Sequence, residues 1–247
     1  MFNGENLDGW DTYLGPLFPR DGGERKEPIG LNVDPSKVFS RVVKDGESVL
    51  RISGENFGGI STLESFSNYH LQLQFKWGEA RWFPRDSAKR DSGLLYHANG
   101  PHGADYGFWM QSQEFQIQEG DVGDYWGVAG AIFDIRAISR GDDWVYSPQG
   151  QLFTFAEDSN VGRHCIKSIT NEKDYGEWNT LDLYCFEDTA VHLVNGKVVM
   201  ILTNSRHDID GEMVPLTKGK IQIQSEGAEV FYRNIQIRSI DKLPDSF

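Results

Sequence analysis

Apolar and polar residues alternate with a period of two over short segments along most of the chain. Such alternation is typical of β-strands, because successive side chains of a strand point to opposite faces. The pattern predicts strands over 39–43, 49–52, 70–77, 93–97, 114–118, 180–185, 190–194, 198–202, 221–224 and 230–237. Helical periodicity is almost absent, so the sequence predicts an all-β protein.

The clearest local prediction is a β-hairpin around Asn195-Gly196. This dipeptide separates two apolar segments, and Asn-Gly readily adopts the two positive φ angles of a type I′ turn. A strand over 178–185 is expected to pair with the hairpin through a connection at 186–188. Many antiparallel strands without a break in composition favour one domain over 1–247, built as a jelly-roll sandwich of two antiparallel sheets.

Three stretches lack regular alternation. They are 15–35, 100–106 and a Gly- and Asp-rich piece over 119–130. Loops of this length in a compact β domain usually either form a binding face or are mobile, and the sequence leaves both alternatives open.

The charge balance limits the classes of partner. Against 24 Lys and Arg the chain has 37 Asp and Glu, a formal net charge of −13. This charge repels phosphate backbones and anionic lipid surfaces, so nucleic acid is not an expected partner. No apolar run reaches the roughly 20 residues that a membrane-spanning helix needs. The sequence predicts no such segment.

Two cysteines, Cys165 and Cys185, either form a disulfide or are buried thiols. Cys185 shares strand parity with Leu181 and Leu183, which favours a buried free thiol in the core. No metal-binding spacing surrounds either residue.

The strand over 113–119 is the strongest candidate for a binding surface. Its alternation places Glu114, Gln116 and Gln118 on one face and Phe115 and Ile117 on the other. Carboxylate and carboxamide groups supply the acceptors and donors that sugar hydroxyls need. The pattern therefore predicts a carbohydrate-binding groove, and the alternative is a solvated strand face.

Within this strand, Glu114, Gln116 and Glu119 resemble the E-x-D-x-x-E signature of laminarinase-type retaining glucanases. A retaining mechanism uses two carboxyl groups about 5–5.5 Å apart. Gln116 can carry neither a charge nor a shared proton, which disfavours a standard double displacement.

Motifs along nearly the whole chain resemble the 3-keto-disaccharide hydrolase family, formerly a domain of unknown function with a concanavalin A-like lectin/glucanase fold. They are Phe2-Asn3-Gly4-Glu5-Asn6-Leu7-Asp8-Gly9-Trp10, Asp91-Ser92-Gly93-Leu94, Glu114-Phe115-Gln116-Ile117, Gly176-Glu177-Trp178-Asn179-Thr180, His192-Leu193-Val194-Asn195-Gly196, Gln222-Ile223-Gln224-Ser225-Glu226-Gly227 and Phe231-Tyr232-Arg233-Asn234-Ile235. The chain departs from the family pattern at Asp91, His97 and Glu226, where Asn, Arg and His are usual.

The resemblance implies cleavage of 3-keto-glycosides. A ketone at sugar C3 acidifies the C2 proton, so a base can remove it and expel the oxygen at C1, and water then completes a net hydrolysis. This route needs a base near C2, a proton donor or metal at the ketone oxygen and an acid for the leaving group. The candidate catalytic residues are Glu114, His97 and His192. For each histidine, the alternative is a structural hydrogen-bonding role.

Further residues are candidates for substrate binding because they lie in the polar strand faces or beside them. They are Asp91, Trp109, Gln116, Gln118, Glu119, Trp126, Trp178, Gln222, Gln224 and Glu226. Core packing is the alternative for each tryptophan, and Trp126 is the favoured groove aromatic because its loop is rich in glycine. Arg233 is expected to be structural.

No cofactor is certain. A divalent metal held by His, Glu and Asp side chains could polarise the ketone, but the spacing carries no metal signature. Asp121 and Asp124 fall short of the six or more oxygens that calcium needs.

Two other functions stay open: a carbohydrate-binding module without catalysis, and a retaining β-glucanase. The resemblance also implies a periplasmic, envelope-anchored or secreted protein, although the chain carries no recognisable signal peptide.

Overall fold

The protein consists of β-strands joined by turns and loops. A computed structural model describes residues 1–247. The strands are β1 (Trp10–Leu14), β2 (Gly30–Leu31), β3 (Phe39–Lys44), β4 (Glu47–Ile52), β5 (Gly58–Thr62), β6 (Tyr69–Arg81), β7 (Asp91–Asn99), β8 (Gln111–Gln118), β9 (Tyr125–Val128), β10 (Ala131–Arg140), β11 (Asp143–Tyr146), β12 (Gln151–Phe155), β13 (His164–Cys165), β14 (Asn179–Phe186), β15 (Thr189–Val194), β16 (Lys197–Ile209), β17 (Glu212–Pro215), β18 (Lys220–Ser225) and β19 (Ala228–Ser239).

The strands form two antiparallel sheets that pack face to face. The eight-stranded sheet has the order β13-β9-β8-β7-β18-β5-β1-β2. The eleven-stranded sheet has the order β11-β10-β16-β15-β14-β6-β19-β4-β3, with β12 paired to β10 and β17 paired to β16. This is the all-β, concanavalin A-like sandwich that the sequence predicts.

One core of 38 buried residues fills the space between the sheets. The period of two explains its composition, since alternate residues of each strand point inward. From β8, Phe115 and Ile117 join the core, while Leu181 and Leu183 of β14 enter it from the opposite sheet. The other parity of β8 is therefore free to line a surface on the outer face of the eight-stranded sheet.

The predicted hairpin is confirmed. Val194 of β15 pairs with Lys197 of β16 across the turn, and both Asn195 and Gly196 have positive φ angles, of 48° and 77°. β14 pairs with β15 as expected.

All ten predicted segments lie within strands, but several strands were missed. The piece over 119–130 contains β9, and the stretch over 15–35 contains β2. β5 reads Gly-Gly-Ile-Ser-Thr, whose two glycines have low strand propensity. These short strands are held by pairing with neighbours rather than by their own sequence.

Cys165 and Cys185 are both buried and free. No helix in the structure has the length and hydropathy that crossing a bilayer demands.

Candidate functional site

A cleft of about 420 Å³ lies on the outer face of the eight-stranded sheet. Its floor comes from β7, β8, β9 and β18, and its walls come from loops around Phe18, Phe57, Arg85 and Asp105. This volume falls in the range of small-molecule sites.

Strand register orders the floor into rows. Across β7 and β8, Gln118 pairs with Asp91, Gln116 with Gly93 and Glu114 with Leu95. β18 runs along the other side of β7, with Ile223 opposite Leu94. Consequently Gln224 comes next to Gly93, and Glu226 to Asp91.

Gly93 leaves room for two polar side chains at the centre of the floor. A Cβ atom at this position would lie 2.3 Å from Oε1 of Glu114 and 2.4 Å from Oε1 of Gln224. Both side chains therefore lie over the glycine backbone, and no larger residue fits without displacing them. Glu114 and Gln224 meet at the middle of the floor.

One end of the cleft, here called the acidic end, contains Asp91, Glu226, Gln118 and Arg85. Nη2 of Arg85 lies 2.6 Å from Oδ2 of Asp91, and Nη1 lies 3.7 Å from Oε1 of Glu226. The carboxamide of Gln118 also donates to Oδ2 of Asp91. Oδ1 of Asp91 is buried without a hydrogen-bond partner, so this end can accept a further donor.

The buried carboxyl groups bind protons more tightly than usual. Glu114 is only 6% exposed. Burial raises its pKa well above the usual range, and the negative charges of Asp91 and Asp105 add to the effect, while Arg163 opposes it. Burial likewise raises the pKa of Asp91 to about 7, although Arg85 lowers it. The pKa of Glu226 is raised well above its usual range by burial and by Asp91.

The other end, here called the aromatic end, is apolar. Phe57, Leu95, Phe108, Trp109 and Val128 form a hydrophobic cluster separate from the main core, and Phe18 packs against it. All except Leu95 line the cleft.

The rim above the aromatic end contains two further rings and a guanidinium group. Arg163 lies 5.7 Å from the ring centroids of both Tyr106 and Trp126. Its Nη1 is 3.3 Å from Oδ1 of Asp105. The ring of Trp126 stacks on His164 at 4.2 Å.

The sequence model of the 3-keto-alpha-glucoside-1,2-lyase-like domain family matches residues 1–238. The chain belongs to this family. No curated protein sequence matches it.

Several solved structures resemble this chain at low sequence identity. A candidate glycosyl hydrolase from Parabacteroides distasonis is 19% identical, with a TM-score of 0.52 over 97% of this chain and 92% of that one. An alginate lyase from Corynebacterium sp. is 10% identical, with a TM-score of 0.46 over 94% of both chains. A carbohydrate-binding module from Bacillus subtilis is 9% identical, with a TM-score of 0.46 over 81% of this chain and 92% of that one.

The cleft brings together most of the site residues that the sequence predicts for this chain. Those that line it are Asp91, Trp109, Glu114, Gln116, Gln118, Trp126, Gln224 and Glu226. Sequence reasoning missed Arg25, Arg85, Asp105 and Arg163, which also line the cleft. Arg25 and Asp105 carried a signal, because they lie in the stretches 15–35 and 100–106, which were considered possible binding faces.

The structure corrects the expected position of both histidines. Between Tyr96 and Asn99 a bulge interrupts β7, and His97 has a φ of 52°, which turns its ring inward. Its Nδ1 lies 2.9 Å from the carbonyl oxygen of Leu216. Burial lowers the pKa of His97 to about 4.

His192 lies between the sheets for a simpler reason. Its strand parity is shared with Ala190 and Val194, which belong to the core. Its Nε2 is 2.9 Å from the hydroxyl of Tyr96, and its ring stacks on Phe115 at 4.0 Å. Burial lowers the pKa of His192 to about 3. Neither His97 nor His192 reaches the cleft.

Three predicted binding residues also lie elsewhere. Glu119 follows the end of β8 and pairs with Arg90 at 3.0 Å. Trp178 comes directly before β14 of the eleven-stranded sheet, and the guanidinium of Arg233 lies 4.1 Å from its ring centroid. Gln222 is buried, and its Oε1 accepts a hydrogen bond from the backbone of Met110. It therefore holds the loop beside Trp109.

No group of three or more His, Cys, Asp or Glu side chains is arranged to hold a metal ion. Asp124 pairs with Lys167 at 3.0 Å and with His164 at 3.1 Å. Asp121 pairs with Lys89 at 2.6 Å. The two aspartates considered for calcium are therefore engaged by cationic or imidazole groups.

Proposed function

We propose that this protein cleaves 3-keto-glycosides by elimination, with Glu114 as the base that removes the C2 proton. The observation that carries the proposal is the carboxyl group of Glu114, buried on the floor of a sugar-sized cleft and flanked by the carboxamides of Gln116 and Gln224. Membership of the 3-keto-alpha-glucoside-1,2-lyase-like family supports the reaction class.

The environment of Glu114 suits a base that must take a proton from carbon. A carboxylate in water is a weak base, and burial makes it stronger because the charged form is poorly solvated. Burial raises the pKa of Glu114 well above its usual range. When Glu114 takes the C2 proton, the C–H electron pair moves into the C3 ketone, leaving an enolate.

The acidic end is suited to stabilise that enolate. Arg85 supplies a positive charge, and a neutral carboxylic acid can donate a hydrogen bond to a developing oxyanion. The pKa of Asp91, about 7, leaves this group partly protonated at neutral pH. We assign the C3 oxygen to Arg85 and Asp91, and the sugar hydroxyls to Gln116, Gln118 and Gln224.

The remaining steps require no covalent enzyme intermediate. The enolate re-forms the ketone, a double bond forms between C1 and C2, and the C1–O bond breaks with its electron pair on the leaving oxygen. Water then adds across this double bond, its hydroxyl forming the new C1–O bond and its one remaining proton going to C2. The proton that Glu114 took from C2 ends on the leaving oxygen, which frees the base for the next turnover. The sum is hydrolysis of the 3-keto-glycoside.

The first test replaces Glu114 with glutamine, which keeps the shape of the side chain and removes the base. Turnover of a 3-keto-glucoside is expected to fall by at least about 10³-fold, in line with the usual contribution of a general base. Glu119→Gln is the matched control, because Glu119 is the neighbouring glutamate and lies outside the cleft. Its turnover should stay close to that of the unaltered protein.

Other results would favour the alternatives. Tight binding of oxidised and unoxidised oligosaccharides without product release over long incubation would identify a carbohydrate-binding module. A covalent sugar trapped on Glu114 from unoxidised β-glucan would identify a retaining glucanase. The pairing of Glu119 with Arg90 outside the cleft counts against the second, since no Glu114–Glu119 pair faces a substrate.

A further inference from the structure

The apolar side chains that line the aromatic end offer a sugar no free hydrogen-bonding group. Its lining is Phe18, Phe57, Phe108, Trp109 and Val128. The one polar atom among these side chains, Nε1 of Trp109, already donates to the carbonyl oxygen of Gly58 at 3.0 Å. A second sugar placed there would lose hydrogen bonds from its hydroxyls to water and gain few in return, which is costly.

Proton donors for a leaving group are also scarce at this end. Asp105 is the acid that lines it, and its carboxylate pairs with Arg163 at 3.3 Å. In this pair the Asp105 side chain faces a guanidinium group rather than a leaving group. An alkoxide leaves a sugar badly without an acid, whereas a phenolate, the anion of a much stronger acid, can leave without one.

Two guanidinium groups flank the same end, each already against aromatic faces. Arg25 lies 4.4 Å from the ring centroid of Phe18 and 5.0 Å from that of Phe108. Arg163 stands between Tyr106 and Trp126. Guanidinium groups stack on aromatic rings and also stabilise oxyanions, so this frame can receive a planar ring that carries a negative oxygen.

We propose that the substrate's aglycone is an aromatic ring joined to the sugar through a phenolic oxygen. This inference rests on the proposed function, since it places the 3-keto-sugar over Glu114 and the leaving group against Phe18, Phe108 and Trp109. In the elimination step the C1–O electron pair stays on the phenolate oxygen, beside Arg163. The phenolate takes a proton from solvent as it is released, and Glu114 gives the proton from C2 to solvent.

Leaving-group reactivity alone would favour a phenyl compound in turnover, so binding is the decisive readout. The probes are phenyl 3-keto-α-glucoside and the 3-keto derivative of an α-linked glucose disaccharide, titrated calorimetrically into Glu114→Gln. The phenyl compound is expected to bind about tenfold more tightly, since apolar pocket contacts give discrimination of this order. Unoxidised phenyl α-glucoside, titrated into the unaltered protein, provides the same comparison if Glu114→Gln does not fold.

Variants at Phe18 test whether the aromatic wall is responsible. Phe18→Ala should weaken binding of the phenyl compound more than that of the disaccharide, and Phe18→Leu, which keeps apolar contact, should restore part of the difference. Equal affinity for the two compounds, or an equal loss for both in Phe18→Ala, would overturn the aromatic aglycone.

The outcomes separate this inference from the proposed function. Turnover of both compounds with equal affinity leaves the proposed function standing and removes the inference. Selective binding of the phenyl compound without turnover of either removes the proposed reaction and leaves an aromatic-glycoside site. If neither compound binds and neither is turned over, both the inference and the proposed function are contradicted.

Discussion

At the scale of single residues, the site depends on a glycine as much as on its acids. Gly93 lies on the floor between Glu114 and Gln224, and a methyl group there would meet the carboxyl oxygen of one and the amide oxygen of the other at less than contact distance. The side chains at both positions would have to move aside. The base would then no longer lie where the strand register places it.

Gly93→Ala is therefore expected to reduce turnover by about 10²-fold, since misplacing a catalytic group by an ångström has effects of this size. Stability should change much less, because the atoms that collide are the ends of flexible side chains rather than backbone. Steady-state kinetics and urea unfolding measure the two effects. A variant as active as the unaltered protein would show that Glu114 does not act from the position described.

Asp91 gives the site a pH-dependent cost in stability. Its pKa of about 7 in the folded protein lies above the usual 3.8, so the folded state binds the proton more tightly than the unfolded state. This group's contribution to the free energy of unfolding therefore falls as the pH rises from about 4 to about 7, and then stays constant.

Asp91→Asn should remove that contribution. Between pH 5 and pH 8, its free energy of unfolding should fall less than that of the unaltered protein, by up to about 3 kcal/mol, since the window covers about two pH units below the pKa of Asp91 and one unit is worth about 1.4 kcal/mol. Urea unfolding at the two pH values measures the difference. Identical pH dependence in the two proteins would contradict the raised pKa of Asp91.

The sequence predicted residues well where the chain is a regular strand. The alternation in β8 placed Glu114, Gln116 and Gln118 on one face, and the structure shows them lining the cleft. The prediction failed for His97, because nothing in the local sequence pattern predicts the bulge in β7. It failed for His192, because parity separates two faces without saying which of them meets the opposite sheet.

At the scale of elements, the turn between β15 and β16 combines backbone geometry with side-chain hydrogen bonds. Nδ2 of Asn195 donates to the carbonyl oxygen of Asn171 at 2.7 Å and to Oδ1 of Asn179 at 2.8 Å. Its Oδ1 accepts from the backbone of Thr180 at 2.8 Å. The turn thus ties the hairpin to β14 and to the segment before it.

Asn195→Ala is expected to lower the free energy of unfolding by about 2–4 kcal/mol, from the lost hydrogen bonds and an unfavourable positive φ. Asp210→Ala, in the turn between β16 and β17, is the matched control. Asp210 has a φ of 55°, close to the 48° of Asn195, but it is exposed. Urea unfolding that gave equal losses for both variants would show that the side-chain bonds of Asn195 contribute little.

Strands with strong alternation were predictable as elements, and short or glycine-containing strands were not. β9 reads Tyr-Trp-Gly-Val and β5 begins with two glycines. Each is a strand because a neighbour offers it a hydrogen-bonding edge, which is information from the sheet rather than from the segment. The strand order, with β18 between β7 and β5, could not be predicted from the local sequence pattern either.

At the scale of the whole molecule, the cleft is formed by residues that are far apart in the sequence. Glu114 comes from β8, Gln224 from β18, Arg85 from the connection between β6 and β7, and Arg163 from the segment before β13. Only the packed sandwich with its loops brings these groups together. The guanidinium groups were missed for that reason, since an arginine in a loop carries no sign of where the loop lies.

The same assembly gives the cleft two unlike ends, with acids and carboxamides on one side of Glu114 and aromatic rings on the other. This polarity supports an orientation for the substrate, in which the ketone lies toward Asp91 and Arg85 and the leaving group toward Phe108 and Trp109. Glu114, the proposed base, lies between the two ends.

The most direct test of the central claim, that Glu114 removes the C2 proton of a 3-keto-sugar, is a kinetic isotope effect. A 3-keto-glucoside carrying deuterium at C2 would be compared with the unlabelled compound in single turnovers with enzyme in excess, so that product release does not mask the chemical step. Elimination predicts a primary isotope effect on cleavage in the unaltered protein and in Glu119→Gln. Cleavage at the same rate for both compounds would contradict it.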